Sequence, residues 1–347
     1  MADATAKLRS PGSTAGRFAL LISGQLQRFT YLDAFKHVPG GILGLACGDV
    51  QPSECTARVD VYIALSLTAQ AHNFFTGGAV SAPPYHNETE VETVNHMKQH
   101  FYSLGADRVF LTLHSEEHMR RCDALLMSNI AKHSFKKKNV SEVQALAALQ
   151  QLPRFPLRWP AHFRMLYLRH RAYAMSRSEE GSQELYTYYM YMREDNVFLE
   201  PRYSLTSLAA HVDSFAFPDE WGSSRHIAMD AYCHEAPDVA DKVFFAGRFA
   251  MQQIFGPTHA DFLQNMVWWI HLAVYAGRLK LTDPLSTEGF YYHLLHHNWL
   301  HTIVVDFNRT EVRYTSKTEG TPPCVHPRYY PCTAMPGHLI SVCPPAG

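Results

Sequence analysis

Along the chain, short unbroken apolar runs alternate with stretches whose apolar residues recur at helical intervals. Phe18-Ala-Leu-Leu-Ile leads into Ser23-Gly24-Gln25, the pattern of a strand buried on both faces that meets a tight turn. Val59–Ala64 and Arg108–Leu113 are predicted as the second and third strands, and Val91–Leu104 between them as a helix. The order β, α, β predicts right-handed crossovers and an α/β fold, a mostly parallel central sheet flanked by helices.

Farther along, His162–Ser178 has Pro160 just before it and sets Phe163, Leu166, Tyr167, His170 and Ala174 on one face, which predicts a long helix. A fourth strand, Tyr188–Met192, breaks off abruptly at Arg193-Glu194-Asp195-Asn196. Lys242–Ala246 is predicted as a further strand, Thr258–Gly277 as a helix with Trp268 and Trp269 in the core, Glu288–His301 as the last helix and Thr302–Phe307 as a closing strand. No internal repeat or low-complexity tract interrupts this pattern.

With 347 residues, 46% of them hydrophobic, the chain is long enough to bury a large core. No linker divides it, so one domain is expected over 17–310, between a disordered tail at 1–16 and a Pro- and Cys-containing tail at 311–347 that packs on the domain. A formal net charge of -1 removes the field that draws proteins to nucleic acid, and Lys136-Lys137-Lys138 reads as a solvated loop. No apolar stretch approaches the roughly 20 residues that span a bilayer. Met1–Gly16 lacks the apolar core of a signal peptide, which suits the cytosol, whereas sequons at Asn87, Asn139 and Asn308 suit a Golgi or secretory lumen once an N-terminal anchor is removed. Seven cysteines without a C-x-x-C pair argue against a zinc ribbon. Cys324, Cys332 and Cys343 would suit a clasp in an oxidising compartment, but a set of reduced, partly buried thiols is the reading favoured.

The sharpest chemistry lies where strand four ends. Ligands of open α/β sheets collect at the carboxyl ends of strands, and hard divalent cations take carboxylate oxygens there while a diphosphate supplies others. Glu194 and Asp195 fit that demand; the competing reading is a solvated strand end with Arg193 paired to a carboxylate.

Several segments taken together, in order, resemble glycosyltransferases of the GT-A fold. They are Ser23-Gly24-Gln25-Leu26-Gln27-Arg28, the long helix, Tyr191-Met192-Arg193-Glu194-Asp195, Asp241-Lys242 before an Ala-Gly-Arg segment, and Thr287-Glu288 opening a late helix. The resemblance covers roughly Phe18 to Phe307 and implies a Rossmann-like nucleotide-binding half. It implies sugar transfer from a nucleotide diphosphate sugar to a hydroxyl of a glycan or glycoprotein. On these positions it implies that Ser23, Gly24, Gln25 and Arg28 hold the donor, and that Asp195, supported by Glu194, holds Mn²⁺ or Mg²⁺ on the diphosphate. The usual triplet is Asp-X-Asp. Here it is Glu-Asp-Asn, and an Arg193-X-Asp195 alignment makes Arg193 the counter-charge of a metal-free site. An Asp195 that serves only as a ligand should be replaceable without loss of stability.

Glu288 and Asp241 are the candidates to orient or deprotonate the acceptor. The rival reading of Glu288 is a residue complementing the helix dipole, and of Asp241 a cap. His293, His297 and His301, with His296 beside them, share one face of the predicted last helix. They offer a three-His metal site, a single ligand from His297 to the donor metal, or hydrogen-bonded interfacial side chains. The absence of a phosphate loop, a nucleophile elbow and a dinucleotide fingerprint lowers kinases, hydrolases and dinucleotide enzymes. Two other functions stay open: a GT-A-like sugar- or nucleotide-binding protein that has lost catalysis, and a metalloprotein built on the histidine helix.

Overall fold

In the computed structural model of the chain, the described residues are 16–67, 89–134, 155–180, 186–198, 203–214, 225–230, 242–275, 290–313 and 324–325, apart from isolated positions within these runs, with a few more between 141 and 147. The strands are β1 (Arg17–Gln25), β2 (Arg58–Ser66), β3 (Arg108–His114), β4 (Tyr188–Arg193), β5 (Asn196–Phe198), β6 (His226–Asp230), β7 (Val243–Gly247), β8 (His301–Val305), β9 (Arg309–Arg313) and β10 (Cys324–Val325). Helices are α1 (Gly41–Cys47), α2 (Glu90–Ser103), α3 (Glu116–Ser134), α4 (Phe155–Glu180), α5 (Leu205–Ser214), α6 (Arg248–Phe255) and α7 (His259–Tyr275).

A seven-stranded sheet in the order β3-β2-β1-β4-β7-β6-β8 forms the centre. Every neighbouring pair is parallel except β4 with β7 and β7 with β6, so β7 alone runs against the others. The fold class expected from the sequence is the one observed, a mostly parallel sheet between helical layers. β1 lies inside it, and Ala19, Leu20, Leu21 and Ile22 are all fully buried. Their continuous apolar character follows from helices covering both faces.

Alternate residues divide into two cores. Ala19, Leu21, Tyr62 and Tyr191 face α3, α4, α6 and α7; Leu20, Ile22, Val61, Ile63 and Met192 face α1, α2 and α5. Helix α4 contributes Phe163, Leu166, Tyr167, His170 and Tyr173 to the first core, close to the expected face, with Ala174 half-buried. Helix α2 starts at a capping box in which Thr89 and Glu92 satisfy each other's backbone N–H groups.

The structure corrects some expectations. The turn after the first strand comes later than predicted, because Ser23, Gly24 and Gln25 pair with Ala64, Leu65 and Ser66; a short 3₁₀ turn at Leu26–Arg28 follows. The last helix does not reach His301. Asn298 caps it by donating Nδ2 to the Leu294 carbonyl at 2.8 Å, Trp299 turns left-handed at φ 55°, and Leu300 N–H reaches back to the Leu295 carbonyl at 2.9 Å. His301 then opens β8, which breaks the expected four-histidine face. β6 carries no sequence signal strong enough to have been predicted, being short and flanked by polar residues. In the stretch read as a C-terminal tail, β10 pairs with β9, which pairs in turn with β5. Cys47 and Cys55 form a disulfide, where reduced thiols were expected. Trp268 packs partly buried against the first core. No described helix is long and apolar enough to cross a membrane.

Candidate functional site

The strand order reverses at β1: β2 and β3 extend to one side of it, whereas β4 lies on the other. The carboxyl ends of β1 and β4 therefore lie side by side where ligands of such sheets usually bind, and the segments beyond them pack on each other, Phe198 N–H donating to the Ala34 carbonyl at 3.0 Å. Two segments singled out in the sequence meet there. Arg28 arrives on the 3₁₀ turn after β1, and Arg193, Glu194 and Asp195 arrive at the end of β4.

The tip of β4 is locked from both sides. Arg193 N–H donates to the Lys242 carbonyl at 2.9 Å and Glu194 N–H to the Ser23 carbonyl at 3.1 Å. Asn196 Nδ2 closes the turn on the Arg193 carbonyl at 2.9 Å. One layer below, the Ser23 and Tyr191 hydroxyls lie 3.2 Å apart. All four residues Arg193–Asn196 are buried, so of the competing reading, a solvated strand end with Arg193 paired to a carboxylate, the pairing forms and the solvation does not.

Asp195 is fully buried and held by two arginines. Arg193 grips it as a fork, Nε to Oδ1 at 2.5 Å and Nη2 to Oδ2 at 2.6 Å, and Arg28 Nη2 donates to Oδ2. Burial alone disfavours the charged carboxylate, but the charges of Arg193 and Arg28, the Arg193 hydrogen bonds and the charge of Lys242 overcome it and hold Asp195 well below the usual carboxylate range. Glu194 is shifted the opposite way. Its burial pushes the carboxyl up, Asp195 adds to that, and Arg28, whose Nη1 lies 3.6 Å from Oε1, offsets only part. Glu194 Oε2 is buried with no hydrogen-bond partner. Two adjacent carboxyls are thus driven apart by their surroundings.

Other polar groups line the same edge. Gln25, Ser66 and His114 sit opposite one another at the ends of β1, β2 and β3, on one face of the sheet. Gln25 Oε1 and His114 Nε2 are both buried without a hydrogen-bond partner. Beneath Tyr191 lies Arg169 of α4, fully buried, its guanidinium 4.8 Å from the Tyr191 ring centroid and 5.2 Å from that of Tyr291. Sequence reasoning missed Arg169, Ser66 and His114. Arg169 lies within an apolar helical pattern whose buried face was recognised, and a charge on that face was the available signal.

Of the residues expected to hold Mn²⁺ or Mg²⁺, Glu194 and Asp195 are adjacent and both buried. Both oxygens of Asp195 are engaged by guanidinium groups, where an incoming cation would meet like charge. His297 is exposed and rests against Trp268, ring centroids 4.7 Å apart. No hydrogen bond or ion pair among the described residues joins it to Asp195 or Glu194. Among the described residues no three His, Cys, Asp or Glu side chains gather as a metal site. Asp241, Glu288, His293 and His296 lie outside the residues whose side chains are described, as do the three sequons.

No family model matches the chain, and no curated protein matches it. Among solved structures, mouse xyloside xylosyltransferase 1 in its apo form is similar over 84% of this chain and 84% of that chain, with a TM-score of 0.37 and 10% sequence identity.

Proposed function

We propose that the chain is a glycosyltransferase that takes a sugar from a nucleotide diphosphate sugar and transfers it to a hydroxyl of a glycan or glycoprotein. The observation that carries this reading is the convergence of Arg28 with Arg193 at the point where the strand order reverses. The ordered sequence motifs that resemble GT-A glycosyltransferases support the same reading.

In this reading Arg28 meets the diphosphate from the solvent side of the cluster, its side chain being one-quarter exposed. As the glycosidic bond breaks, negative charge grows on the leaving diphosphate, and fixed cations aimed at that position lower the barrier without reorganising. Gln25, with its buried carbonyl oxygen unpaired, is suited to accept from the nucleoside or the sugar. Asp241 and Glu288 remain the candidates to orient the acceptor hydroxyl.

A donor screen that detects released nucleoside diphosphate tests the proposal. One nucleotide sugar, or a close set of them, should be turned over in the presence of a glycan acceptor. Lack of turnover of every donor, together with lack of binding by any nucleoside diphosphate, would end it.

A further inference from the structure

A second group of basic side chains gathers at the carboxyl end of β3, on the side of the sheet that α3, α4 and α7 cover. The ring centroids of His114 and His118 lie 5.1 Å apart, and His114 is 5.9 Å from Tyr167, whose hydroxyl is 3.0 Å from His118 Nε2. His259 of α7 approaches the Tyr167 ring at 6.5 Å and the His170 ring at 5.9 Å. Arg171 stands one turn after Tyr167 on α4, and its charge lowers the pKa values of His114, His170 and His259, so the guanidinium is near all three. No carboxylate is among the charges that act on His114 or His259. Those on the neighbouring helices are engaged elsewhere: Arg164 holds Asp123 and Glu116, and the Thr258 hydroxyl donates to Asp261. Among the described residues Arg171 takes part in no ion pair or hydrogen bond, and its Nε is buried without a partner. His114, only 7% exposed, also keeps Nε2 buried and unpartnered. Each of these nitrogens forgoes a hydrogen bond that an incoming anion restores.

We propose that Arg171, His114 and His259 form an oxyanion site that takes a phosphate or sulfate group, free or carried on a sugar, and that is separate from the site at Arg28 and Asp195. Two strand spacings, roughly 10 Å, divide β3 from β1. Arg171 supplies the fixed charge. His114 supplies a neutral N–H when its proton is on Nε2, and burial together with the charges of His118 and Arg171 keeps it neutral at pH 7. A neutral imidazole can donate without adding to the repulsion that Arg171 exerts on its neighbours. His118 is committed to Tyr167 and to Cys122 Sγ, 3.5 Å away, which leaves it out of the donor set. Because His118 and His259 are both exposed, the cluster is open to solvent on their side.

The test titrates inorganic phosphate, inorganic sulfate and a hexose phosphate into the whole chain at constant ionic strength and follows the imidazole NMR resonances of His114 and His259. Both should shift together and saturate. Arg171→Gln should weaken binding about tenfold or more, as expected for losing charge-assisted hydrogen bonds. It should leave the chain at least as stable as wild type, because that guanidinium has no partner to lose. His259→Ala, a change at an exposed position, should weaken binding severalfold. Arg28→Gln should leave it unaltered, which separates this site from the one proposed for the donor. A hexose phosphate that binds more tightly than the inorganic ions assigns the anion to a sugar ligand, equal affinities assign the free ion, and both outcomes support the site. Shifts that grow without saturating, an affinity that Arg171→Gln does not change or that Arg28→Gln abolishes, or a marked loss of stability in Arg171→Gln overturns the proposal and leaves the nucleotide-sugar function standing.

Discussion

The Glu194 carboxyl occupies the space that a Cβ on Gly24 would need: a carbon attached there would lie 1.9 Å from Oε2 and 2.0 Å from Cδ. Gly24 also has φ 152°, a backbone conformation that side chains rarely adopt. Since Glu194 is itself buried by the turn that ends β4, it has little room to swing aside. Gly24→Ala should therefore destabilise the chain by about 1–3 kcal/mol from backbone strain alone, with the clash added. Chemical denaturation checks this, and Gly24→Ala combined with Glu194→Ala should lose less stability than the sum of the two single changes. Additive losses would show that the two residues do not compete for this space.

At the opposite, amino-terminal edge of the sheet, a second buried carboxylate has a structural role. Asp60 is fully buried and receives Arg17 Nε at 2.9 Å, Arg108 Nη2 at 2.7 Å and the Tyr186 hydroxyl, which ties together the starts of β1, β2 and β3 and the approach to β4. Removing one member of such a group leaves buried charge uncompensated. Asp60→Ala should cost about 3–5 kcal/mol in denaturation at neutral pH. Burial raises the Asp60 pKa, but hydrogen bonds from Arg108, Arg17 and Tyr186 outweigh it and the net shift is downward from 3.8. The stabilisation is thus present above about pH 4 and is lost as pH falls below 3.8 toward the folded-state value. A wild-type stability profile that stays level through this acid range would refute it.

The histidines that hold the α3, α4 and α7 layer titrate in a separate window. Burial first, then the charges of His118 and Arg171, lower His114 to about 4; burial, His259 and Arg171 lower His170 to about 4 against the opposing hydrogen bond to the Phe255 carbonyl. Below the ordinary value of 6.5, the unfolded chain takes up protons that the folded chain refuses. Stability should then decline as pH falls from about 6.5 to about 4, before Asp60 is affected. His114→Phe, which keeps an aromatic ring beside Tyr167 and His118, should reduce that slope. An unchanged slope would remove His114 from the account.

What the sequence revealed and what it hid divide along physical lines. β1, β2 and β4 were legible because strands covered on both faces must be apolar along their whole length, the half-buried edge strand β3 by its Val-Phe-Leu run, and α2 and α4 because their buried faces repeat at helical spacing. β6 depends on pairing with distant strands, and β7, placed by its apolar run, hid only its antiparallel direction, because pairing direction leaves no mark on composition. At the site, the motifs carrying Arg28 and Asp195 were both singled out, but their contact spans 167 positions of sequence. Read locally, the strand end suggested a metal or an Arg193–carboxylate pair. Only the fold shows that Arg28 joins Arg193 on Asp195.

That relationship changes what replacing Asp195 should do. Were Asp195 an open ligand at a strand tip, Asp195→Ala would leave the melting temperature nearly untouched. Instead its two oxygens hold Arg193, itself buried, and Arg28 across from it. Truncation takes the forked carboxylate away from a buried guanidinium, and breaking a buried ion pair typically costs about 3–5 kcal/mol. Asp195→Ala should accordingly unfold at clearly lower denaturant concentration than wild type, with an unchanged denaturant dependence if the folded state stays compact. Arg28→Ala should cost much less, because its guanidinium is partly solvated already and its removal leaves Asp195 still gripped by Arg193. Equal losses in the two variants would mean that Arg28 is part of the buried lock, and no difference from wild type in Asp195→Ala would mean that the fork is not a stabilising element.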